Sequence, residues 1–141
     1  MTLPTVANLA TNNKRLLYIL TSVVDCLPMM KTMHFQVYFN TLRNWVLLDV
    51  DKCLVKPILF ITNASGVEFD VLIEFAQQLG WEIFQAPKLS RSGLPFVKDM
   101  YLNAAERVPN CSYYAYSNGD ILFSSGLVDT LQAVSQVWLL V

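Results

Sequence analysis

The segment YYAYSNGDILF, residues 113–123, carries an amide and a carboxylate two residues apart, directly after an apolar run. Asp120 offers a hard oxygen ligand, Asn118 offers a weaker carbonyl oxygen or an orienting hydrogen bond, and Gly119 lets backbone approach a ligand closely. Mg²⁺ and Mn²⁺ prefer oxygen ligands and commonly bridge substrate phosphates through one or two protein carboxylates. One interpretation is therefore a divalent-cation site with Asp120 as the metal ligand and Asn118 as its support.

The same residues also fit a β-hairpin turn. Asn118-Gly119 between two apolar runs is a strong two-residue hairpin signal, because both residues tolerate the positive φ of a type I′ turn. Asp120 would then be only the polar end of a turn. The elements around the segment decide between the two interpretations.

Apolar runs and helical patterns alternate along the whole chain. The runs predict buried strands over residues 16–24, 55–64, 81–87, 111–117 and 137–141. The helical spacings predict helices over residues 34–48, 68–79, 96–108 and 127–134. This alternation predicts an α/β domain, a three-layer sandwich with a mainly parallel sheet. Ligands of such sheets bind outside the carboxyl ends of the strands, which favours a site rather than a hairpin at residues 118–120.

The length of the chain indicates its domain organisation, and its net charge indicates which kinds of partner it can bind. At 141 residues the chain has the length of one domain, and we expect a disordered lead-in over 1–14 and a single domain over 15–141. Ten basic and eleven acidic side chains give a net charge of -1. That balance indicates neither a nucleic-acid partner nor a polybasic patch for a membrane surface. The longest apolar runs fall well short of the ~18 residues that span a bilayer, and no signal peptide is evident, so the compartment is left open.

The histidine and the cysteines give weak signals for chemistry. His34 is the only histidine and stands at a predicted helix start with no partner nearby in sequence, which favours a capping or surface role. Cys26, Cys53 and Cys111 are odd in number and far apart, so we expect free thiols rather than disulfides or a zinc site.

The segment VLLDVDKCLV, with Asp49 and Asp51, followed by ILFITNAS, is similar to the first two motifs of haloacid-dehalogenase-like phosphatases. In that family a strand-borne aspartate is the nucleophile and the aspartate two residues on is the general acid. The two motifs lie on different parallel strands, which need a crossover of at least ~10 to 12 residues, and this sequence leaves too few. We interpret both aspartates as a solvated helix end and turn. A phosphatase stays one alternative, and a noncatalytic α/β interaction module is another.

A longer block, SGLPFVKDMYLNAAERVPNCSYYAYSNGDILFSSGLVDTLQAV, resembles a group of nucleotide-diphospho-sugar transferase (GT-A-like) proteins. The segments FNTLRNWVLL and VKPILFIT resemble the same group, so the resemblance runs from about Leu16 to the last residue. It implies the Rossmann-like, donor-binding half of a GT-A-like glycosyltransferase, with partners that are a nucleotide-sugar donor and an unknown acceptor. By analogy with many glycosyltransferases, it also implies a possible place in the secretory pathway.

The resemblance assigns roles to five residues. Asp120 corresponds to the metal ligand that bridges the donor diphosphate through Mn²⁺ or Mg²⁺, with Asn118 beside it. Thr21 and Ser22 are similar in position to residues that flank the donor nucleotide, and Asp99 resembles the acidic residue ahead of the metal strand. The sequence departs from the family pattern in three ways: a single carboxylate in the metal motif, Leu94 in place of a threonine, and an end where GT-A-like domains continue.

Overall fold

The computed structural model describes residues 15–23, 31–48, 51, 54–62, 67–119, 121–124 and 126–139. Strands and helices alternate throughout these residues, as the sequence pattern predicts. The elements are β1 (Arg15–Val23), α1 (Lys31–Leu47), β2 (Val55–Ile61), α2 (Val67–Gln78), β3 (Glu82–Gln85), α3 (Val97–Arg107), β4 (Cys111–Tyr116) and α4 (Gly126–Leu139). The predicted lead-in, residues 1–14, lies outside the described residues.

The four strands form one sheet in the order β3-β2-β1-β4, and every neighbouring pair is parallel. At the level of Leu20, β1 lies beside Ile58 of β2 and Tyr116 of β4. The chain therefore moves outward from β1 to β3 and then crosses to the other side of β1 to form β4. This reversal of strand order creates a crevice outside the carboxyl ends of β1 and β4.

Both faces of the sheet are covered by helices, which confirms the expected three-layer α/β architecture. On one face, α1 and α2 bury Leu42, Trp45 and Leu72 against the sheet, and half-buried residues of α4 pack on the same cluster. On the other face, α3 contributes Met100 and Ala104, which are spaced one helical turn apart and fully buried. Burial from two sides explains why β1 and β2 are nearly continuous apolar runs.

The prediction of a fifth strand over residues 137–141 is wrong. Residues 137–139 belong to α4, which ends at Leu139, and residues 140 and 141 lie outside the described residues. A five-residue apolar run does not by itself distinguish a buried strand from a buried helix segment. Only Ser135 and Gln136 separate the run from the helix predicted over 127–134, and neither is a glycine or proline that would end that helix.

One further difference concerns a helix. α1 begins at Lys31, three residues earlier than predicted, so His34 lies at the end of its first turn.

Among the described residues, none of the helices is both long enough and apolar enough to cross a bilayer.

The packing of α3 leads to a stability prediction. We expect Met100→Ala to lower the free energy of unfolding by about 2 to 5 kcal/mol, because a fully buried side chain is removed and a cavity is left between α3 and the sheet. Leu102→Ala is the matched control on the same helix. Its side chain is 59% exposed, so its effect should stay within about 0.5 kcal/mol. Urea unfolding measures both, and equal effects would contradict the packing of α3 against the sheet.

Candidate functional site

The carboxyl ends of β1 and β4 are joined by backbone and side-chain hydrogen bonds. The backbone N–H of Ser117 donates to the carbonyl oxygen of Leu20 over 2.8 Å. Ser22 Oγ lies 3.2 Å from Tyr116 Oη. The last residues of β1, with Thr21 and Ser22, therefore lie next to the residues that follow β4, with Asn118. Their roles in ligand binding stay a prediction.

Gly119 lies where the chain leaves β4 and passes close to α1. A Cβ atom at this position would stand 2.9 Å from Tyr38 Cε1 and 3.3 Å from the carbonyl oxygen of Ser22. The first distance is shorter than real Cβ contacts, so this close approach requires the absence of a side chain. Glycine is thus needed here for space.

The same residue excludes the hairpin interpretation. A type I′ turn needs positive φ at both central residues, and Gly119 does not have φ in the left-handed region, unlike Gly80 and Gly93. The described residues 121–124 also form no strand. The segment after β4 is therefore not the second arm of a hairpin.

The side chain of Asn44 on α1 forms hydrogen bonds with the segment that follows β4. Its Nδ2 donates to the carbonyl oxygen of Phe123 over 3.3 Å, and its Oδ1 accepts from the backbone N–H of Phe123 over 2.9 Å. Sequence reasoning missed this residue. The available signal was an asparagine inside a helix, in its last turn, where asparagine is unfavourable unless its side chain binds another segment.

A pocket opens between α1, the sheet and the segment after β4. It holds about 330 Å³ of empty space, its open mouth included, and its lining includes Thr21, Asn118, Trp45 and Trp81. Thr21 Oγ1 and Trp81 Nε1 are both buried, and neither has a hydrogen-bond partner among the described residues. Because buried polar groups are nearly always paired, these two atoms are available to a ligand or an ordered water.

Asp99 lies in the first turn of α3, where the helix dipole favours a carboxylate. In the second turn, the hydroxyl oxygen of Tyr101 accepts a hydrogen bond from the backbone N–H of Tyr116 over 2.8 Å. The start of α3 is therefore near the end of β4. Within the described part of the chain, however, no hydrogen bond or ion pair connects Asp99 to the residues at the end of β1.

The predicted metal ligand, Asp120, lies outside the described residues. Asn118 is described and exposed just beyond β4. In the described ranges, no group of three or more His, Cys, Asp or Glu residues is placed to hold a metal ion. The described residues thus locate the segment that would carry the metal ligand but not the ligand itself.

The geometry around the other pair of aspartates does not favour the phosphatase alternative. Asp49 lies outside the described residues, while Asp51 is exposed. α1 continues to Leu47, so the residues just ahead of Asp49 are helical rather than part of a strand. A strand-borne nucleophile, which the phosphatase motif requires, does not fit this arrangement.

Comparison with solved structures identifies similar folds. One crystal structure of S. aureus TarS has a TM-score of 0.59 and 11% sequence identity, over 86% of this chain and 20% of that chain. A crystal structure of S. aureus TarS 1-349 has a TM-score of 0.56 and 12% identity, over 84% of this chain and 31% of that chain. The chain therefore spans about a fifth of the length of the first TarS chain and under a third of the length of the second. No family model and no curated protein matches the sequence. At this low identity the likeness supports the fold alone, an α/β domain with a parallel sheet.

The close approach at Gly119 gives a second prediction. We expect Gly119→Ala to lower the free energy of unfolding by about 1 to 3 kcal/mol, because the added methyl group must displace the Tyr38 ring or the end of β1. Gly126→Ala is the matched control, since a Cβ there meets only an ordinary contact of 3.6 Å. Denaturant unfolding of both variants tests the difference, and a harmless Gly119→Ala would contradict the contact.

Proposed function

We propose that this protein is glycosyltransferase-like and binds a nucleotide-diphospho-sugar, through a divalent cation, at the carboxyl ends of β1 and β4. The observation that carries the proposal is the joining of these two strand ends at the point where the strand order reverses. The TarS structures support the proposal at the level of the fold alone, because their sequence identity is only 11 to 12%.

The end of β1 supplies two hydroxyl groups for the donor. Thr21 Oγ1 is unpaired and lines the pocket, so it has the hydrogen-bonding capacity that a nucleotide or sugar group needs. Ser22 Oγ is oriented by its contact with Tyr116 Oη, which fixes its position relative to β4. In this proposal Thr21 and Ser22 flank the nucleotide.

The residues after β4 fit a hard cation. Mg²⁺ takes oxygen ligands and is usually held by one or two carboxylates together with substrate phosphates and water, so a single protein carboxylate is compatible with it. Asp120 would hold the cation and Asn118 would support it, with Asp99 near this end of β4. A bound cation supplies positive charge that stabilises the leaving diphosphate. The chain's own residues would orient the donor, and the missing side chain of Gly119 lets the segment after β4 pass close to Tyr38 and to the end of β1.

Thermal or chemical unfolding with Mn²⁺ and a panel of uridine and guanosine diphosphate-sugars tests the proposal. A donor that binds only the native state raises the free energy of unfolding by about 2.7 kcal/mol at a hundredfold excess over its dissociation constant. We expect Asp120→Ala to lose most of this gain, because the carboxylate that holds the cation is removed. Asp129→Ala, which removes an exposed carboxylate of α4, should keep the gain. An absent gain with every donor would favour a noncatalytic module, and an undiminished gain in Asp120→Ala would contradict the site.

Thr21→Val separates stability from binding. The substitution removes a hydroxyl oxygen that is buried and unpaired. Without ligand, we therefore expect the free energy of unfolding of Thr21→Val to be equal to or higher than that of the unchanged protein. We expect the donor-induced gain to fall, because a ligand contact is lost. The same unfolding series measures both quantities, and a full donor-induced gain in Thr21→Val would remove Thr21 from the site.

A further inference from the structure

The segment between β3 and α3 folds into a short two-stranded loop, residues 88–96. The backbone N–H of Ser90 donates to the carbonyl oxygen of Leu94 over 2.8 Å, and that of Phe96 donates to Lys88 over 3.4 Å. Leu89 and Pro95 form an antiparallel bridge between the two arms. The turn is closed by Gly93, whose φ of 84° is a conformation that favours glycine. The loop is therefore a defined structure.

The two faces of the loop differ in exposure. Leu89 and Pro95 are half-buried, whereas Leu94 is 52% exposed and Phe96 is 41% exposed. Because side chains alternate across an extended segment, Leu94 and Phe96 share the outward face. Lys88 shares that face as well, since its Nζ lies 5.4 Å from the centre of the Phe96 ring. The outward face thus combines exposed apolar side chains with a cation.

The same character continues onto α3. Lys98 and Leu102 lie one turn apart on this helix, and both are exposed. We name the combined surface the basic apolar patch. It consists of Lys88, Arg91, Leu94, Phe96, Val97, Lys98 and Leu102. Large apolar side chains that are grouped on a surface mark a place where another surface docks.

The charge of the patch indicates the partner. Residues 88–102 carry three cations and one carboxylate, while the whole chain has a net charge of -1. In the sequence these cations are separated by two and six residues and form no basic run, and all three are exposed in the fold. Apolar and aromatic side chains beside Lys and Arg are typical of surfaces that lie in the headgroup region of anionic bilayers.

We propose that the basic apolar patch docks this protein on an anionic lipid surface. Leu94 and Phe96 would enter the headgroup boundary, while the cations pair with lipid phosphates and their methylene stems extend along the apolar side chains. A second copy of the chain is a poorer fit, because a symmetric contact would bring six cations together. A bilayer also accepts projecting side chains without a complementary groove. The loop follows β3 at the carboxyl edge of the sheet, so docking would bring the candidate site toward the lipid.

Cosedimentation with lipid vesicles tests the charge of the surface. At ~0.1 M salt we expect about a hundredfold stronger partitioning onto phosphatidylcholine vesicles with about 30% phosphatidylserine than onto pure phosphatidylcholine. The preference should fall as salt shortens the Debye length from ~10 Å toward ~3 Å. Each cation near an anionic surface contributes about a fivefold gain, so replacing Lys88, Arg91 and Lys98 with Gln should weaken partitioning about a hundredfold. Arg91→Gln alone should weaken partitioning about fivefold, and Arg43→Gln, at an exposed position of α1, is its matched control.

Leu94→Ser with Phe96→Ser tests the apolar contribution, and Val71→Ser on α2, in the opposite layer, is its control. All of these side chains are exposed, so a thermal midpoint that does not fall shows that each variant is folded; Phe96→Ser should raise it slightly, because Phe96 is the N-cap of α3 and serine is a favourable cap. Loss of vesicle binding in the patch variants, with binding kept in both controls, supports the proposal.

Three results on vesicles overturn the proposal: no binding, equal binding to neutral vesicles, or binding that the patch variants keep. So does a dimer in sedimentation velocity that Phe96→Ser dissociates, since that result assigns the patch to a second copy. None of these measurements depends on donor binding.

Discussion

The parallel pairing of β1 on both of its edges is the constraint on which the rest of the structure depends. β1 lies between β2 and β4, and both of its faces are covered by helices, so the residues of its middle are buried on every side. The middle of such a strand must be apolar, and the polar side chains Thr21 and Ser22 appear where β1 approaches its carboxyl end. Because β4 lies beside it in parallel, the polar residues that follow β4 meet the same edge.

Close packing then holds the segment after β4. Gly119 passes against the ring of Tyr38, and Asn44 binds both backbone groups of Phe123. The segment therefore covers the pocket instead of extending into solvent. This arrangement buries Thr21 Oγ1 without a protein partner, at a cost of about 1 to 3 kcal/mol for an unpaired buried group. A ligand or a water molecule that pairs with this atom would offset that cost.

A sheet with strand order 3-2-1-4 serves many chemistries, and likeness to TarS at 11% identity supports the fold without fixing the reaction. What distinguishes this chain is the set of side chains at one edge of that sheet. Hydroxyl and amide groups surround the ends of β1 and β4, and the 88–96 loop after β3 adds cations and exposed apolar side chains. Both proposals therefore concern the edge where the strands end, where the backbone is least constrained by pairing and side chains vary most freely.

The sequence by itself determined the α/β class, the alternation of elements and most of their positions. Its signals for these features are local, since burial from two faces produces unbroken apolar runs and helices show a 3.6-residue period. It also placed Asn118 just beyond a strand end. Local pattern failed at residues 137–139, where a short apolar run fits either a strand or a helix.

Only the tertiary structure decided which strand ends meet, that Gly119 is needed for space rather than for the positive φ of a hairpin turn, and that Asn44 binds Phe123 from 79 residues away. It also left Lys88, Arg91 and Lys98 exposed, together with Leu94 and Phe96, in and just after the 88–96 loop. The physical reason is the same in each case. A contact between residues distant along the chain depends on strand order and helix placement, and it leaves no periodic trace in the sequence around either residue.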